Sequence, residues 1–195
     1  MTLPQAPGGS GTTPHLSKKL CLLGATSVGK TSLVQRYVQN SFDDTYRVTI
    51  GVNIHSMDVA PAGQAVRLLL WDLEGLSDPL QCYRKDYVYG AHGFVVVIDP
   101  TRTETLDIAR SLQQIAVSVA PDAPFVGVVN KSDLRSKWEL RPEDLQALRH
   151  VGWPLFETSA KTGEQVREAF EAVTAMMLES DARQTAARRA AAVGR

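Results

Sequence analysis

One short segment constrains this chain more than any other. Gly24-Ala25-Thr26-Ser27-Val28-Gly29-Lys30-Thr31 fits the pattern G-x-x-x-x-G-K-[ST] at every fixed position, between an apolar run, Leu20–Leu23, and a stretch with helical spacing, Thr31–Gln39. A strand that turns through glycines into a helix N-terminus aims several backbone N–H groups at one spot. The positive end of the helix adds to that field. Such a spot takes phosphate. The N–H groups of Ser27, Val28, Gly29, Lys30, Thr31 and Ser32 line it, Lys30 reaches the outer phosphates, and the Thr31 hydroxyl offers an oxygen to Mg²⁺. Alone, the loop does not choose between nucleotide bases, or between hydrolysis and phosphoryl transfer.

The rest of the chain alternates strands and helices. Val52–Val59 and Ala65–Trp71 read as strands joined through a hairpin-type turn at Pro61-Ala62-Gly63. Gly93–Ile98 and Phe125–Val129 are continuous apolar runs, the pattern of parallel strands buried on both faces. Leu155–Glu157 is a shorter strand; Leu106–Val119, Pro142–His150 and Glu164–Leu178 read as helices. The expected fold is α/β: a six-stranded, mostly parallel sheet with one antiparallel strand and helices on both faces. Residues 1–17 read as a disordered leader with little to bury, 18–179 as the ordered domain, and 180–195 as an Ala- and Arg-rich tail whose composition favours extending the last helix.

Two loops point to the base. Asn130-Lys131-Ser132-Asp133 follows the strand Phe125–Val129, and Thr158-Ser159-Ala160-Lys161 follows Leu155–Glu157. The first resembles N-K-x-D and the second S-A-K. A carboxylate at Asp133 accepts from the N1–H and 2-amino group of guanine; adenine lacks that pair of donors and would leave the carboxylate unpaired. With GATSVGKTSLVQRY, YRVTIGV, WDLEG and YGAHGFVVVIDPT in the same order, the chain resembles the small GTPases of the Ras superfamily, most closely the Rab proteins and their bacterial Rab-like relatives, over about Lys18 to Leu178.

That resemblance implies a P-loop NTPase G domain binding GTP/GDP with Mg²⁺. It places Asn130 at the guanine N7 side, the stem of Lys131 over the base, and Ser159, Ala160 and Lys161 in the nucleotide-binding set, with the Ala160 N–H donating to O6 and Lys161 packed nearby. Phe42 matches the aromatic against the guanine edge, and Tyr46 the residue that closes over the phosphates. Thr49, 19 residues after Lys30, completes the Mg²⁺ shell and meets the γ-phosphate. Asp72 holds the metal through water, and the Gly75 N–H binds the γ-phosphate. The metal set is thus Thr31, Thr49 and Asp72; the catalytic contacts are Lys30, Thr49 and Gly75. Switch loops at Tyr46–Gly51 and Asp72–Tyr83 are ordered while GTP is present and present surfaces to effector proteins.

The chain departs from the family in the second switch. Leu76 stands where the family usually has the Gln that orients the attacking water, and Leu neither donates nor accepts a hydrogen bond. Glu74 replaces a small residue, and Trp71 to Gly93 runs about one residue longer than a Rab pattern. The expectation is a molecular switch that hydrolyses GTP slowly and leans toward the GTP state. The alternatives are a hydrolysis-deficient pseudo-GTPase acting as a nucleotide-loaded interaction module, or compensation for Leu76 by Glu74 or Gln81.

Composition narrows the partners. With 21 Lys+Arg against 21 Asp+Glu there is no net pull toward nucleic acid, and no basic stripe with interleaved aromatics appears. No apolar run approaches the ~20 residues of a membrane span. No Cys follows Cys82, so the C-terminus shows no prenylation site, and Arg183, Arg188, Arg189 and Arg195 supply at most a weak attraction to anionic lipid. The expectation is a cytoplasmic monomer without a stable membrane anchor, its Cys21 buried in the first strand.

Overall fold

Parallel strands need crossover connections, and the apolar runs of this chain are separated by stretches long enough to supply them. The computed structural model describes residues 16–43, 48–75 and 85–193. Tyr46, Leu76, Gln81 and Cys82 lie outside the described residues. In chain order the elements are β1 (Leu16–Gly24), α1 (Lys30–Gln39), β2 (Val52–Val59), β3 (Val66–Leu73), α2 (Lys85–Val88), β4 (Gly93–Ile98), α3 (Glu104–Val119), β5 (Phe125–Val129), α4 (Pro142–His150), β6 (Leu155–Glu157) and α5 (Val166–Val193). A 3-10 turn at Pro61–Gly63 joins β2 to β3, and another covers Ser132–Lys137 after β5.

The strands form one six-stranded sheet in the order β2-β3-β1-β4-β5-β6. Only the edge pair β2–β3 is antiparallel; β1–β3, β1–β4, β4–β5 and β5–β6 are parallel. This is the architecture expected from the sequence. Alternate residues of β4 face opposite layers. Val95 and Val97 join Leu33 and Tyr37 of α1 and Phe170 and Val173 of α5, while Val96 and Ile98 join Leu106 and Ala109 of α3 and Leu145 and Leu148 of α4. Tyr37 stacks on Phe170 with ring centroids 4.3 Å apart and planes within 8°, which locks α1 against α5.

The chain leaves β1 for β3 on one side and β4 on the other, so a crevice opens at the carboxyl end of β1. Cys21, in the middle of β1, is fully buried, and burial pushes its thiol up to about 12.

Some element boundaries differ from the sequence reading, while the last helix extends as the composition of the tail favours. β3 continues to Leu73 because β2 keeps pairing with it, Asn53 opposite Asp72 and Val52 opposite Leu73, so Asp72 lies inside the strand. β1 begins at Leu16, within the stretch read as leader: Leu16 and Ser17 are exposed but pair with Val66 and Arg67. Backbone pairing holds them, and composition does not report it. The last helix continues to Val193, and the first residues of the expected tail are tied to the domain. Ser180 is buried with its Oγ donating to the Asp122 carbonyl at 2.9 Å, and Asp181 is the counter-ion of the buried Lys18.

A chain ending at Glu179 loses both of those contacts. It should unfold at lower urea than a chain ending at Gln184, by about 1–3 kcal/mol in equilibrium melts, because Lys18 would stay buried without its carboxylate. Coincident melts would place the domain boundary at Glu179 after all.

Candidate functional site

The loop after β1 is held by its carbonyl groups. Lys30 Nζ donates to Gly24 O at 3.0 Å and Ala25 O at 2.9 Å. An Arg102 terminal nitrogen donates to Thr26 O at 2.7 Å, Lys131 Nζ to Ser27 O at 3.1 Å, and Asn130 Nδ2 to Val28 O at 2.9 Å. Gly29 O accepts the Leu33 N–H at 2.9 Å, the first turn of α1. In a trans peptide the N–H points opposite to the C=O. The N–H groups of Ser27, Val28 and Gly29 therefore face away from Arg102, Lys131 and Asn130. Gly29 sits at φ 96, and a Cβ there would lie 2.3 Å from Asn130 Nδ2, so only glycine lets the stitch form.

Beside the loop lies a cavity of about 850 Å³. Its lining includes Ser27, Gly29, Lys30, Thr31, Ser32, Phe42, Thr49, Gly75, Asn130, Lys131, Asp133, Ala160 and Lys161. Residues from the ends of β1, β3 and β5, and from the segments before β2 and after β6, meet there.

Burial pushes the Lys30 ammonium down to about 8; Asp72 opposes that shift, and Arg102 adds to it. Asp99, at the end of β4, has no exposed surface. Burial alone would raise its carboxyl. Hydrogen bonds from Lys131 (2.5 Å) and from the N–H and hydroxyl of Thr101 (3.0 and 2.7 Å) outweigh it and hold Asp99 below the usual carboxylate range. Arg102 Nε is also 3.2 Å from Asp99.

Three oxygens gather at the β3 side of the cavity. Thr31 Oγ1 is 2.8 Å from Thr49 Oγ1 and donates to Asp72 Oδ2 at 2.7 Å. The other carboxylate oxygen, Asp72 Oδ1, is buried without a hydrogen-bond partner, and burial raises this carboxyl despite the bond from Thr31. An orphaned buried oxygen beside two hydroxyls is a hard, oxygen-only donor set. It fits Mg²⁺, which takes few protein ligands and completes its shell with water and phosphate. Among the described residues there is no cluster of three His, Cys, Asp or Glu side chains that could form an all-protein cage.

At the other end, Asn130 is a structural hub. Besides its bond to Val28, its Oδ1 accepts the Ala160 N–H at 3.1 Å and the Thr158 hydroxyl at 3.3 Å. Ser159 Oγ donates to Asp133 Oδ1 at 2.6 Å, and Thr162 N–H donates to Ser159 Oγ at 3.0 Å. Three of the loops that line the cavity, those after β1, β5 and β6, are thus tied to one another.

A model of the Ras family matches residues 19–179, most of the ordered chain. The chain belongs to the Ras family. Among curated proteins it is similar to Ras-related protein RABD2b of Arabidopsis thaliana, 35% identical over 159 residues covering 80% of this chain and 78% of that one. It is also similar to GTP-binding protein YPTM2 of Zea mays, 33% identical over 171 residues covering 87% and 84%. With these relatives, this Ras-family chain is a Rab-like small GTPase, and its family binds guanine nucleotide.

For the Rab-like chain, most of the residues singled out from sequence converge on the one cavity, and three do so only indirectly. The Val28 side chain is packed in the core, so only its backbone belongs to the loop. Asp72 and Ser159 are fully buried and act on what lines the cavity, Asp72 through Thr31 and Ser159 through Asp133. Ser159, read from the sequence as part of the nucleotide-binding set, holds the Asp133 carboxylate with its hydroxyl. The sequence reading missed Asp99, Arg102 and Arg36. Asp99 left a signal, a carboxylate closing the apolar run Gly93–Ile98. Arg102 and Arg36 left none, being polar residues on otherwise ordinary helix and loop positions.

Gly29→Ala should lower the affinity for Mg²⁺·GDP by about ten-fold or more in calorimetry, from strain at positive φ and displacement of Asn130. Gly152→Ala is the control. That glycine also has positive φ (86) but meets nothing within 4 Å, so it should cost stability and leave affinity unchanged.

Proposed function

We propose that this chain is a guanine-nucleotide switch that holds GTP or GDP with Mg²⁺ in the cavity at the carboxyl end of the sheet and hydrolyses GTP slowly. The observation that carries the proposal is the convergence of the phosphate loop and the N-K-x-D loop on that single cavity, joined by Asn130 and Lys131. In this reading the N–H groups from Ser27 to Ser32 bind phosphate, and Lys30 leaves the carbonyls of Gly24 and Ala25 to neutralise the β- and γ-phosphates. Thr31, Thr49 and Asp72 hold Mg²⁺, which neutralises charge between the outer phosphates when bound. Phe42 and Tyr46 flank the nucleotide. Asn130, Lys131 and Asp133 select guanine with the Ser159–Lys161 loop, and the Gly75 N–H senses the γ-phosphate.

The switch reading draws support from the two segments that bracket the phosphate end. Glu74 N–H donates to Gly51 O at 2.8 Å, and Glu74 Oε2 accepts the Gly51 N–H at 2.9 Å, so the ends of the two loops are clipped together. That engagement argues against Glu74 as the group that replaces Gln in orienting water. Val48 and Ile50 are 57% and 84% exposed, an apolar surface suited to an effector protein that reads the loop around Thr49.

Slow hydrolysis rests on Leu76. In single-turnover assays with Mg²⁺·GTP, Leu76→Gln should cleave about ten-fold faster or more than wild type. Equal rates would remove the argument that Leu76 impairs the reaction. Absence of turnover in both, with nucleotide still bound, would favour the second reading that Leu76 supports, a loaded interaction module. In competition binding, GTP should displace a fluorescent GDP analogue and ATP should not; comparable displacement by ATP would overturn the assignment of Asp133.

A further inference from the structure

Arg36 lies on α1, six residues beyond Lys30, where no nucleotide contact is expected. Its guanidinium crosses to the loop between β6 and α5. Nε donates to Ala160 O at 2.8 Å and one terminal nitrogen to Lys161 O at 2.6 Å. The other terminal nitrogen donates to Asn40 O at 3.1 Å and so closes the end of α1. A guanidinium is a rigid planar fork, so two consecutive carbonyls on one fork fix two consecutive peptide planes. Because each peptide is trans, the N–H of Lys161 points opposite to Ala160 O, away from Arg36. Ala160 and Lys161 line the cavity.

We propose that Arg36 is a positioning residue for purine recognition: by holding the carbonyls of Ala160 and Lys161, it fixes the peptide that turns the Lys161 N–H toward the O6 edge of guanine. The inference rests on the reading of the cavity as a guanine site. It also ties the two ends of the nucleotide together, since the helix whose first residue is Lys30 carries the group that shapes the base loop. Lysine at this position has a point charge and can satisfy one carbonyl at a time.

The test uses the full chain as wild type, Arg36→Ala and Arg36→Lys, with Mg²⁺ and displacement of a fluorescent GDP analogue. The competitors are GDP, GMP and the diphosphate of 2-aminopurine riboside, which keeps the 2-amino group and lacks both O6 and the N1–H. Arg36→Ala should weaken GDP by about ten-fold to a hundred-fold, and the 2-aminopurine diphosphate by less than about three-fold, so the preference for GDP over that compound falls by the share that O6 carries. The preference for GDP over GMP should hold within about two-fold, because the phosphate loop is untouched, and Arg36→Lys should recover part of the loss. An unchanged preference for GDP over the 2-aminopurine diphosphate in Arg36→Ala would overturn the inference. So would an equal loss for all three competitors, which would mean that Arg36 only stabilises α1. If wild type itself does not distinguish GDP from the 2-aminopurine compound, the base assignment fails, and this inference fails with it.

Discussion

The site depends on where the carbonyl groups of one loop point. A loop can offer its N–H groups to phosphate only if its C=O groups are turned outward, and buried carbonyls so turned need donors. Here the donors are charged or amide side chains delivered by neighbouring strands: Arg102 on Thr26, Lys131 on Ser27 and Asn130 on Val28. Two of those donors are cations, and both also meet the buried carboxylate of Asp99. A single buried anion therefore compensates the charges that hold the loop open. Removing the anion would leave two cations in a partly desolvated place, which is why a carboxylate at the end of β4 belongs to this architecture.

Helix α1 carries that order across the molecule. It begins at Lys30, at the phosphate end, and its Tyr37 stacks on Phe170 of α5. Between them Arg36 reaches the loop after β6. The loop after β6 therefore takes its position from two sides, from Asn130 just beyond β5 and from Arg36 on α1. A rigid scaffold under both ends suits a ligand that is long, charged at one end and aromatic at the other.

The opposite wall is built differently. Thr49, Glu74 and Gly75 lie on connecting segments rather than on helices, and they are joined by small contacts: the Thr31 and Thr49 hydroxyls, the Glu74–Gly51 pair, and the Thr26 hydroxyl donating to Gly75 O at 2.9 Å. A Cβ on Gly75 would lie 2.4 Å from Thr26 Cα, so the two segments touch backbone to backbone. Contacts of this kind exchange readily for contacts to phosphate and metal, which is what a ligand-dependent surface requires. Glu74 is a departure from the family pattern on this wall, while the wall carried by α1, β4 and β5 keeps the family's motifs.

The sequence by itself determined the parts of this protein that are local. The phosphate loop, the N-K-x-D and S-A-K segments and the apolar runs were legible because each draws its meaning from spacing within a few residues, and the alternation of strands and helices followed from periodicity. Leu16 and Ser17 escaped notice because backbone pairing, which has no composition, places them in β1; Asp181 did so because its partner Lys18 is far away in the chain. Asn130 and Ser159 are read from the sequence as candidate site residues, but their hydrogen bonds to Val28 and Asp133 belong to the packed molecule. Only the tertiary structure decided the roles of Arg36, Asp99 and Arg102. The physical reason is that a long polar side chain finds its partner across the fold, between residues more than 70 or 120 positions apart in the case of Arg102 with Thr26 and Arg36 with Ala160, and no local pattern marks which carbonyl it will hold.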